Sequence, residues 1–181
     1  MIDQIVLLTM FLPASIAIVL AFKQSKRIRI NEPMTQECFT VMFPEVLVTI
    51  CVFGDILIAI IFCGFAVFEP ETADWISSIV FGLFFWLGAY LIILSKTFKV
   101  VVKNNEITVH KTFRKPYTIT FNDITSAVRE VSKDRLKTEE IMIKTSTGKR
   151  FTIVDLEISF EKFKKKIQEK VNKKYLSGFE D

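Results

Sequence analysis

The chain has little of what most active sites are built from. One histidine and three cysteines serve 181 residues. Cys38, Cys51 and Cys63 are odd in number and lack metal-ligand spacing, which argues against a disulfide framework and against zinc. Cys51 and Cys63 sit inside apolar runs, where a thiol behaves as a small hydrophobe. His110 alternates with Ile107 and Val109 on a strand-like stretch and is expected at the surface. Nucleophile-elbow, zinc-protease, Walker and dinucleotide fingerprints are all missing. The expectation is a non-enzymatic protein without cofactor, metal or catalytic residues.

Basic charge is also scarce over the first half. Of 24 Lys and Arg, only Lys23, Lys26, Arg27 and Arg29 precede Lys96, whereas eight of 20 Asp and Glu do. A basic half therefore follows an apolar, mildly acidic one. Anionic lipid is the nearer partner for such charge than nucleic acid if the chain is tethered to a bilayer.

What the first half does have is long apolar runs. Residues 5–22 carry no charge and end in cations, the reverse of a signal peptide. Residues 46–68 hold one charge, Asp55, and residues 75–94 hold none. About 20 residues cross a hydrocarbon core, so the sequence predicts three transmembrane helices in a region spanning 1–96. The cations in the 23–45 loop, their absence from 69–74, and Lys96 and Lys99 after the third span place the N-terminus outside and the rest cytoplasmic. Trp75 and Tyr90 suit interfacial anchors. Small residues recur along each span, Ala14, Ala17 and Ala21 on the first among them, and would let helices approach closely.

Asp55 falls near the bilayer midplane on this reading. Equal-depth counting brings Trp86 and Ser15 to its level, so the three form a candidate intramembrane polar site in which Asp55 accepts a bond from the indole or the hydroxyl. Three roles are open to it: a structural hydrogen bond, self-association, or proton or ion transport.

After Lys96 the pattern changes to alternation, the mark of half-buried strands. Strands are expected at 99–103, 106–112, 117–121, 126–131, 141–145 and 150–155, with turns at Asn104-Asn105 and around Gly148. A helix then begins at Ser159 and runs to about Lys174, followed by a 176–181 tail. Phe160, Phe163, Ile167 and Val171 share its apolar face, while Lys162, Lys165, Lys166, Lys170 and Lys173 form a candidate lipid-facing basic surface. Cys38–Phe43 is apolar and β-prone. It either lies on the bilayer or, as favoured here, adds a strand to the later domain.

The hairpin strands, the Phe121–Ile124 turn, the Thr147–Lys149 hairpin and the closing helix resemble the pleckstrin-homology-like domain of small bacterial membrane proteins, which follows transmembrane helices directly. The resemblance covers Phe98–Lys174. It implies an α+β domain, about 97–175, in which a bent antiparallel sheet is capped by a C-terminal helix and serves binding or scaffolding. Phosphoinositide readers place a cationic cluster in the first hairpin. Here that hairpin is Lys103-Asn-Asn-Glu106, with Lys111 and Arg114 next, so the pattern departs from theirs.

Two functions follow as expectations. One is a multi-pass anchor in the cell membrane whose basic cytoplasmic domain binds a protein or the anionic membrane surface. The alternative is a small transport or stress-response subunit using Asp55 within an oligomer.

Overall fold

The computed structural model describes residues 2–27, 37–68, 75–132 and 137–179. The chain divides into two compact units, Met1–Arg29 with Glu45–Thr97, and Ile30–Pro44 with Phe98–Asp181.

The first unit consists of helices α1 (Ile2–Arg27), α2 (Glu45–Phe68) and α3 (Trp75–Thr97). α3 packs against both others. Ala14 of α1 is fully buried against Phe85 and Ala89 of α3, a close approach that the alanines permit. The rings of Phe62 and Phe81 join α2 to α3 at 5.4 Å. Where α2 starts and α3 ends, Lys96 lies 3.9 Å from the Glu45 carboxylate and over the ring of Phe22. The outer faces are apolar: Val46, Ile50, Phe53, Leu57 and Ile60 are all exposed along α2. That is the inverse of a helix folded against a water-facing surface.

The described residues show part of the three-span expectation. Among the described residues two helices are long and apolar enough to cross a membrane, over Glu45–Gly64 and Ile79–Thr97. In α1 the apolar stretch among the described side chains is Leu12–Ser25. The 69–74 turn and the side chain of Trp75 lie outside the described residues. Tyr90 is exposed.

The second unit is α+β. Strands β1 (Cys38–Met42), β2 (Lys99–Lys103), β3 (Glu106–His110) and β4 (Tyr117–Thr120) form one antiparallel sheet in chain order. β5 (Ile124–Val131), β6 (Glu139–Thr145), β7 (Arg150–Val154) and the short β8 (Leu176–Ser177) form the other, ordered β7-β6-β5-β8, with β8 parallel to β5. The favoured strand addition is present. Cys38 pairs with Lys103 and Met42 with Lys99, and Phe39 and Val41 enter the core.

Helix α4 (Phe160–Lys170) buries Phe160, Phe163 and Ile167 between the sheets' side chains. It ends four residues earlier than expected, because a 3-10 turn over Lys173–Tyr175 leads the chain into β8. That added strand requires Gly178, at φ 76°, where a Cβ would stand 2.2 Å from the Arg129 carbonyl oxygen. Glu139 ties β6 to β5 and α4, accepting from Arg129 at 2.8 Å and from Lys164 at 3.0 Å. The Arg129 bond, then Lys164, holds its carboxyl down at about 2.

Candidate functional site

Asp55 is the one ionisable side chain within the apolar helices that is buried, at 6% exposure, among the described residues. It sits ten residues after Glu45, about 15 Å along α2. Space for it comes from Gly88 on α3: a Cβ there would lie 1.9 Å from Asp55 Oδ1. The carboxylate thus occupies a notch that any larger residue would fill. Asp55 Oδ2 is buried without a hydrogen-bond partner, a costly arrangement for an acceptor away from water.

The same carboxylate lines a groove of about 460 Å³ with Ser15 and Ile18 of α1, Val52 and Ala59 of α2, and Phe85 of α3. Its walls are otherwise almost wholly apolar, and its volume is that of a small-molecule pocket. Of the expected polar trio, Ser15 therefore shares the groove with Asp55. Trp86 does not: its side chain is 41% exposed, and Gly88, about half a turn on, faces Asp55 instead. Oδ2 itself accepts no hydrogen bond. Equal-depth counting finds a level along a helix but not the face, which is why Trp86 falls outside the groove.

The lysines of the closing helix also separate. Lys162, Lys165, Lys170 and Lys173 are exposed. Lys166 is corrected: at 5% exposure it is buried beside the core and its ammonium donates to the Glu37 carboxylate. That bond, with the attraction of the ammonium, holds the Glu37 carboxyl below its ordinary range. Lys166 adjoins Ile167 of the apolar stripe. Its long stem packs inward while the charge finds an acid from a distant segment.

Glu157 was not anticipated. It ends the turn after β7, is buried, and accepts from the Val154 N–H at 3.4 Å through Oε1 while Oε2 has no partner. Burial pushes its carboxyl up to about 7. His110 is half-buried, and burial together with Lys99 lowers its pKa. Among the described residues no three His, Cys, Asp or Glu side chains gather as a metal site.

No family model, curated protein or solved structure matches this chain.

Proposed function

We propose that the protein is a non-enzymatic membrane-anchored module, crossing the cell membrane three times with its N-terminus outside, and that its basic cytoplasmic domain binds a partner at the membrane surface. The observation that carries this reading is the pairing of β1 with β2. Those strands belong to one small domain, yet the apolar hairpin α2–α3 lies between them, joined by Phe43-Pro44 at one end and by Phe98 at the other. Two paired strands hold the start of α2 and the end of α3 on one side of any bilayer. An even number of crossings follows for the hairpin, in line with the cation distribution.

The apolar outer faces of α2 and α3 support lipid as their solvent. A four-stranded sheet, a second sheet and a closing helix with a phenylalanine face support the pleckstrin-homology-like reading of the domain. The anchor is tested by washing membranes containing the expressed chain with alkaline carbonate. Retention in the pellet is expected, and release into the supernatant overturns the reading.

A second reading rests on Asp55. A buried, unpartnered carboxylate oxygen facing an apolar groove calls for a donor from outside the three helices, as another copy in an oligomeric transport or stress-response assembly would supply. A smaller particle in detergent for Asp55→Asn than for the wild type supports it. Equal sizes remove it.

A further inference from the structure

The domain's exposed apolar side chains are not scattered. Among its described residues the large ones are Phe113, Val131, Leu156 and Ile158, and strand register locates three of them. Met42 pairs with Lys99, and Lys99 with His110, so the 111–116 loop leaves the sheet at the same end as Met42 and Lys99. Phe113, 56% exposed, is on that loop. On the other side of β1 the Ile158 N–H donates to the Met42 carbonyl at 2.8 Å, which brings Ile158, and Leu156 two residues before it, to that end as well. Phe43 and Phe98, the residues leading into α2 and out of α3, place their rings 6.5 Å apart there.

Charge follows the same distribution. Phe113 is followed by Arg114 and Lys115, both exposed, whereas the Lys111 ammonium before it donates to the Arg150 carbonyl. Of the neighbouring acids, Asp155 is exposed and accepts from the Glu139 N–H at 3.1 Å, and Glu157 is buried. The loop is held in shape by a 3.2 Å bond from the Arg114 N–H to the Lys111 carbonyl. Phe113 itself has φ 52°, a left-handed conformation uncommon for a bulky residue and typical of positions where function sustains strain.

At the opposite end of the sheet are Asn104-Asn105 and Glu37, whose carbonyl accepts from the Asn104 N–H at 2.9 Å. Lys166 reaches Glu37, so the later turns of α4 approach that end. It is about 13 Å from Lys99 along β2. The lysines of α4 are thus the poorer candidates for lipid.

We infer that the end of the domain bearing Phe113, Leu156 and Ile158, with Arg114 and Lys115 beside them, is inserted into the anionic leaflet from which α2 and α3 emerge. Apolar side chains enter the headgroup boundary while the cations meet lipid phosphates, the arrangement of interfacial anchors. The inference rests on the membrane reading above, and it names the leaflet as the domain's partner.

The test uses the full chain in vesicles of bromine-labelled phosphatidylcholine, with and without phosphatidylglycerol. Trp75→Phe leaves native Trp86 as the sole indole. A Trp75→Phe/Trp86→Phe background carries Phe113→Trp or, as the far-end control, Asn105→Trp. Bromines deep in the chains should quench Trp86. Bromines near the headgroups should quench the indole of Phe113→Trp at least threefold more than that of Asn105→Trp, with a further gain from phosphatidylglycerol that Arg114→Gln/Lys115→Gln abolishes. An unquenched Trp86 overturns the membrane reading and this inference together. A quenched Trp86 with equal, weak quenching at positions 113 and 105 overturns the inference alone, as does quenching at 113 that is indifferent to phosphatidylglycerol.

Discussion

Met42 and Lys99 are register partners at one end of the β1–β2 ladder, although the whole α2–α3 hairpin lies between them in the chain. The domain is therefore completed by a strand that precedes two apolar helices. A piece beginning at Phe98 lacks the strand that contributes Phe39 and Val41 to the core.

A chain in which Glu37–Pro44 is joined to Phe98–Asp181 by a short Gly-rich turn should fold as a soluble monomer with a cooperative thermal transition. Phe98–Asp181 alone should be less stable by about 3 kcal/mol or more, the scale of losing one buried phenylalanine. Urea denaturation of the two proteins checks this; equal midpoints would mean that β1 contributes nothing.

Asp55 and Gly88 should behave as a coupled pair. Gly88→Ala forces the carboxylate out of its notch and should destabilise the helices by about 1–3 kcal/mol, the usual cost of overpacking. Asp55→Ala vacates the space, so the double variant should recover most of that loss, giving a coupling energy well above the additive limit. Thermal unfolding of the four proteins in detergent measures the cycle, and simple additivity would show that the two do not touch.

Glu157 should make the domain more stable in mild acid. Its folded pKa of about 7 lies above the ordinary 4.5, so the folded state binds the extra proton between those values. Its contribution is most favourable below pH 4.5 and is lost as pH rises through 7. Glu157→Gln removes the titration. Relative to wild type it should gain about 1–3 kcal/mol between pH 4.5 and pH 8, read by denaturation of the domain within the full chain in nanodiscs. A difference independent of pH would place the Glu157 carboxyl in water.

Much of this molecule was legible in its residues, and the omissions have physical causes. Alternation along Glu106–His110 and Arg150–Val154 reports strands because each has one face in the core, and Cys38–Met42 reads as β-prone from its apolar residues despite its distance from its partner. β8 was hidden because two residues cannot display a period. Gly88 was passed over because a notch is defined by what fills it, and nothing in α3 announces that an Asp55 carboxylate will arrive from α2. Lys166 reads as solvated until Glu37 is known to be near. Phe113 was not singled out in the sequence, and its position at the end of the sheet that bears Met42 and Lys99 emerges only from the register.

The central claim is that α2 and α3 form a membrane hairpin whose two ends are held by paired strands of one domain. Its most direct test is thiol labelling in sealed vesicles with an impermeant maleimide, after Cys38, Cys51 and Cys63 are replaced. Thr72→Cys, in the connection between the helices, and Asn105→Cys, in the β2–β3 turn, should react from opposite faces, the first from outside and the second from the cytoplasmic side. Reaction of both from the same face would contradict the account.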